Sequence, residues 1–232
     1  MTEQKIKSEN IGKLKVHFTE ISNPKVSTII VGNAYGIMPY IKPLALKLGE
    51  HDIKAHWFAF SGQENTEGEY SQKQCIRDID KVVNFLKAKN KNGSKINFLS
   101  HCAGSLMTLE YLKQHNNEKI HELVIYGLLY TMNRRRNIAE RKLKNSGVKY
   151  NLSEQDWAYN PLEAIEKCNT EILFCHAKDK LNFERATESE MELVVSRKKN
   201  SAIKWFEKGY DADIAEIDNY IDTYVSFLKK GS

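Results

Sequence analysis

Along residues 27–229, short apolar or β-branched runs alternate with longer amphipathic stretches, and few folds accommodate that rhythm. A strand, a helix and another strand in succession require a crossover, which predicts an α/β fold: a mostly parallel sheet with helices on both faces. Strands are expected at 27–31 (STIIV), 53–60, 96–100, 123–130, 171–176 and 203–207, after an early edge strand at 13–21 whose polar and apolar residues alternate. Helices are expected at about 40–48, from a Ser71 cap to about 89, at 104–114, near 185–198 and at about 213–229. In the second of these, Ile76, Ile79, Val82, Val83 and Leu86 form one apolar stripe. Between about 131 and 170 the alternation loosens, and this stretch, with its single Pro161, reads as a small helical insertion too short for a core of its own. One domain over 1–232 is expected.

Composition narrows the classes. Hydrophobic residues make up 41% and charged residues 28%, ordinary for a globular chain. No apolar run approaches the roughly 18 residues of a membrane-spanning helix, and the polar start MTEQKIKSEN suggests a cytoplasmic protein. The four cysteines (Cys75, Cys102, Cys168, Cys175) show neither a CxxC pair nor metal-ligand spacing, so no metal and no cofactor is implied. The formal net charge is +5, and residues 134–144 (RRRNIAERKLK) carry that excess alone. Basicity so local does not suit a nucleic-acid binder. It fits a solvated helix face, or a docking patch (Arg134, Arg135, Arg136) for an acidic partner or a phosphate-bearing substrate.

The segment INFLSHCAGSLMTLEYL passes from strand to helix through Ser100-His101-Cys102-Ala103-Gly104. A reactive group on so sharp a turn needs small residues two before and two after it, and Ser100 and Gly104 meet that need. The turn sets Cys102 at a helix N-terminus, where the local dipole favours a thiolate, and aims the Ala103 N–H at a developing oxyanion. A buried structural cysteine is the plain alternative.

With these features the chain resembles the α/β-hydrolase superfamily over nearly its whole length, and a cysteine at this position resembles the dienelactone-hydrolase branch and some thioesterases and acyltransferases. The resemblance implies a second oxyanion donor in the loop Gly32-Asn33-Ala34-Tyr35-Gly36, from Asn33 or Ala34, with Tyr35 near the substrate. The stretch Phe58-Ala59-Phe60-Ser61-Gly62-Gln63 resembles the family's glycine-containing loop after the next strand. The segment ending Lys178-Asp179 resembles the strand that carries the triad acid, which implies Asp179 as that acid. Trp157 is a packing residue or lines the pocket beneath the insertion.

The family's histidine should follow the last strand, but residues 207–213 (EKGYDAD) contain none, and no histidine occurs after His176. Asp211, or Tyr210 one residue earlier, occupies the matching position. Three explanations compete: a thiol needs less help than a hydroxyl, with Asp211 or Asp179 as weak base; His176, or the less suitable His101, substitutes; or hydrolysis has been lost while acyl transfer persists. The implied function is acyl transfer through a Cys102 thioester, on a small acyl ester or thioester, with acyl carrier protein or coenzyme A as partners for the basic run. The rival is a catalytically silent scaffold. A further alternative is that Cys102 replaces a native serine.

Overall fold

The run VSTIIV forms β3 (Val26–Val31), buried along its entire length, as a strand covered on both faces must be. In the computed structural model, residues 5–230 are described except 35, 65, 91–92, 117–119, 129–135, 179–186 and 208–216. The other strands are β1 (Ile6–Ile11), β2 (Leu14–Thr19), β4 (Ile53–Phe58), β5 (Lys95–His101), β6 (Ile120–Tyr126), β7 (Glu171–Ala177) and β8 (Ser201–Phe206). They form one sheet in the order β1-β2-β4-β3-β5-β6-β7-β8. β3 to β8 pair in parallel, and β1 and β2 are antiparallel.

The first edge differs from expectation. A hairpin stands where a single edge strand was anticipated, so β2 is an inner strand and β1 the outermost one. β1 (IKSENI) is mostly polar because an edge strand meets solvent, and that composition concealed it. β6 begins at Ile120, three residues earlier than expected, because Glu122 is buried within the strand.

Each face of the sheet carries its own core. α1 (Ile41–Glu50) and α8 (Ile217–Leu228) pack over Ile30, Leu99, Val124 and Cys175. α2 (Gln72–Lys89), α3 (Ala103–Gln114) and α7 (Glu188–Arg197) pack over Ile29, Phe98, Ile125 and Phe174 on the opposite face. Ser71 caps α2 by accepting the Gln74 N–H at 3.2 Å, and the anticipated stripe Ile76, Ile79, Val82, Val83 and Leu86 is buried.

Three helices lie between β6 and β7: α4 (Arg136–Asn145), α5 (Glu154–Ala158) and α6 (Leu162–Lys167). Ala139, Leu143, Val148, Trp157 and Ile165 join the α2/α3 core. The stretch between α4 and α5 is joined to the loop after β4 by main-chain bonds: Tyr70 N to Lys149 O (2.6 Å), Lys149 N to Gly62 O (3.0 Å) and Asn151 N to Tyr70 O (2.8 Å). Gly62 has φ +85°, and a Cβ there would lie 2.4 Å from the Lys149 carbonyl oxygen. Only glycine allows that approach. Among the described residues, no helix is long and apolar enough to cross a membrane.

Candidate active site

Side chains alternate along β5, so Phe98, Ser100 and Cys102 face the α2/α3 core while Leu99 and His101 face the other. Cys102 ends the strand with φ 54° and ψ −122°, a conformation unfavourable for a residue with a Cβ, and α3 starts at the next residue. The turn is held on both sides. The Cys102 N–H donates to the Tyr126 carbonyl (3.2 Å), and the Cys102 carbonyl accepts from the Ser105 N–H (3.0 Å) and the Ser105 hydroxyl. Ser100 is fully buried, and its hydroxyl meets that of Thr108 at 2.7 Å, which in turn bonds the Gly104 carbonyl (2.9 Å). Backbone strain maintained by so many surrounding contacts is typical of functional turns.

Gly104 brings the two halves of the site together. A Cβ on it would lie 2.0 Å from the Gly32 carbonyl oxygen and 2.7 Å from that of Val31. The first turn of α3 therefore rests directly on the end of β3, and the loop bearing Asn33 and Ala34 lies beside the Cys102 turn. Both residues are buried. The loop is braced from the segment after β4: the Gln63 side-chain amide donates to the Asn33 carbonyl (3.2 Å) and its oxygen accepts the Phe60 N–H (3.0 Å), while the Glu64 carboxylate accepts the Ile37 N–H. The Ser61 N–H and the Gln74 amide both donate to the buried Asp78 carboxylate, at 2.9 and 2.8 Å. Sequence reasoning passed over Glu64, Gln74 and Asp78. Gln63 was visible only as the end of a family-like stretch, with no sign of what it holds.

The remaining cysteines sit in different surroundings. Burial raises the thiol pKa of Cys75, Cys168 and Cys175, which keeps them as neutral packing groups. Cys102 is the cysteine at the strand-to-helix turn, 7% exposed.

The histidines divide by face. His101 stacks on Tyr126 (centroids 5.8 Å, 18°) and meets Tyr40 edge-on (5.2 Å) in the α1/α8 core, so its ring is directed away from Cys102. His176 lies at the end of β7, two strands from β5, which separates their backbones by about 10 Å. Its Nε2 accepts the Leu128 N–H at 3.2 Å and its ring tilts against Trp205. The ring proton then belongs on Nδ1, and the nitrogen a base would use is engaged. His176→Leu is expected to cost about 2 kcal/mol by orphaning the Leu128 N–H, while the pH midpoint of Cys102 alkylation by iodoacetamide stays unchanged. A shifted midpoint would instead tie His176 to the thiol.

Asp179, Asp211, Tyr210, Tyr35, Arg134 and Arg135 lie outside the described residues. Trp157 is 2% exposed on α5, and the Arg136 guanidinium lies 5.5 Å from its ring centroid. Arg136 also forms a bidentate pair with Glu154 (2.7 Å for both bonds) and bonds Glu140 (3.0 Å). This arginine ties α4 to α5 within the molecule.

A strained turn between the fifth strand of a mostly parallel eight-stranded sheet and the following helix, with helices on both faces, defines an α/β-hydrolase fold. The chain spans nearly the full length of solved members. It aligns with an esterase of Pyrococcus furiosus at TM-score 0.73 and 14% identity, covering 98% of this chain and 91% of that one. A soluble variant of monoglyceride lipase from Saccharomyces cerevisiae gives 0.73 and 13%, covering 99% and 96%, and the thioesterase domain from the curacin biosynthetic pathway gives 0.66 and 11%, covering 98% and 99%. At such identities the likeness is one of fold. The chain belongs to the family described as "Protein of unknown function (DUF1749)", whose model matches residues 15–222. No curated protein matches it.

Proposed function

We propose that the chain is an acyl-transfer enzyme of the thioesterase or acyltransferase type, acting on a small acyl ester or thioester through an acyl-thioester at Cys102. The observation that carries this reading is the Cys102 turn: a cysteine in a strained backbone conformation at the head of α3, where Gly104 lets the helix rest on the Val31 and Gly32 carbonyls, next in sequence to Asn33 and Ala34. The thiolate attacks the acyl carbonyl, a carbon–sulfur bond forms, and the donor's thiolate or alkoxide leaves and takes up a proton. Amides of Ala103 and of Asn33 or Ala34 would stabilise the oxyanion between these steps. Asp179 is the matching acid. With a thiol acceptor the reverse exchange releases the acyl group at little net energy. Water is a poorer acceptor, because it needs a competent base and no histidine follows His176. An acyl carrier protein or the phosphates of coenzyme A would suit the basic run of residues 134–144.

The absence of a histidine beyond His176 also favours a second reading, a scaffold that turns nothing over. Intact-protein mass after incubation with acetyl and longer acyl thioesters and with p-nitrophenyl esters separates the two. A persistent acyl mass that maps to Cys102 is the expected result. Rapid turnover without accumulation would shift the reading to hydrolysis, and no adduct and no product with any donor would leave the scaffold.

A further inference from the structure

A second cleft opens at the end of the sheet opposite Cys102, beneath the last turns of α2, with a volume of about 560 Å³. Its floor is the cross-strand pair Phe18 of β2 and His56 of β4, with Lys54 two residues before His56 on the same face and Ser27 beside Lys54 on β3. Phe85 and Lys89 of α2 form the opposite wall. The volume falls within the range of small-molecule sites.

Two features of the lining call for a ligand. His56 is 3% exposed, and both of its ring nitrogens lack a hydrogen-bond partner among the described residues. Buried polar atoms are nearly always paired, so two orphaned, buried nitrogens on a residue that lines a cleft are an exception that needs a cause. Charge is the second feature. Three lysines and two glutamates line the cleft, with Glu20 paired to Lys7 and Glu9 to Lys89. Lys54 has no carboxylate partner among the described residues, and its ammonium lies 4.8 Å from the Phe18 ring centroid. Lys89 lies over Phe85 in the same way, at 4.6 Å.

We infer that this cleft is a second ligand site, built to take a small organic anion whose charged head pairs with Lys54 and whose flat apolar body lies against Phe18 and Phe85. His56 supplies orientation. Burial, then the nearby charges of Lys54 and Lys89, lower its pKa to about 3, so the ring is neutral at physiological pH and carries one N–H donor and one bare acceptor, both just beneath the lining. Such a ring recognises a hydroxyl, amide or ester oxygen next to the anionic head without adding charge. Asn90 and Ser94 bond each other, which leaves the recognition to Lys54 and His56. The site rests on none of the chemistry proposed for Cys102.

Phenyl phosphate and benzoate share a ring and differ in the head, so together they test the site and separate phosphate monoesters from carboxylates. Titration of the full chain is followed by calorimetry and by nitrogen NMR of the labelled histidine rings. Saturable binding of at least one probe that shifts the His56 resonances is expected, with affinity reduced at least tenfold by Lys54→Gln and at least threefold by His56→Phe, which keeps a ring but no nitrogen. The better probe identifies the head group. Lys54 is partly exposed, so its variant should fold whatever His56→Phe does. Silence of His56 toward both probes would overturn the proposal. So would equal binding of inorganic phosphate, or binding abolished by Cys102→Ala yet unmoved by Lys54→Gln.

Discussion

Gly104→Ala is expected to destabilise the protein by about 3 kcal/mol, near the upper end of what overpacking costs. The added methyl would lie 2.0 Å from the Gly32 carbonyl oxygen, which belongs to main chain and cannot rotate away as a side chain would. Relief requires the start of α3 to lift from the end of β3. Both are tied elsewhere, α3 through the Cys102 carbonyl and β3 through parallel pairing with β4 and β5. For a chain of this length the melting temperature should fall by about 6–12 °C, and acylation of Cys102 should slow because the Asn33–Ala34 loop is pushed off the turn. An unfolding free energy from urea titration within about 1 kcal/mol of the parent's would show that the loop gives way easily, and the two halves of the site would then be coupled loosely.

At Cys102 stability and reactivity should separate. Cys102→Gly and Cys102→Ala are both expected to remove the acyl adduct completely. Yet the glycine variant should be the more stable by about 1 kcal/mol, the reverse of the usual order, because φ 54° with ψ −122° strains any residue bearing a Cβ and costs glycine nothing. Denaturant midpoints of the two variants measure that strain directly, since both lack the sulfur. Equal midpoints would mean that the turn relaxes without it. An adduct persisting in the alanine variant would move the acyl site to another residue and end the Cys102 proposal.

How legible each feature was depends on how local its cause is. β3 and the buried stripe of α2 follow from patterns within a few residues, and so does the Ser71 cap. The elbow was readable because the demand for small residues at 100 and 104 is itself local. The opposite facing of His101 and Cys102 follows from strand alternation alone. β1 escaped because a solvent-facing edge carries little apolar signal, and the start of β6 because buried Glu122 imitates a loop. The brace of the 32–37 loop joins residues about thirty positions apart, Gln63 to Asn33 and Glu64 to Ile37, and no pattern in one chain reveals such a meeting. The engagement of His176 by Leu128 is equally non-local. It decides whether a histidine is available, which a count of histidines cannot.

The joint between Gly62, Tyr70 and residues 149–151 is made of peptide groups. Peptide hydrogen bonds are indifferent to the side chains beside them, so the surface of α4–α6 is free to drift in evolution while its fastening stays intact. Substitutions on that surface leave the joint itself untouched. One codon is exempt, that of Gly62, where a methyl would meet the Lys149 carbonyl. Relatives of this protein should therefore differ most over the helical cover and agree at that glycine.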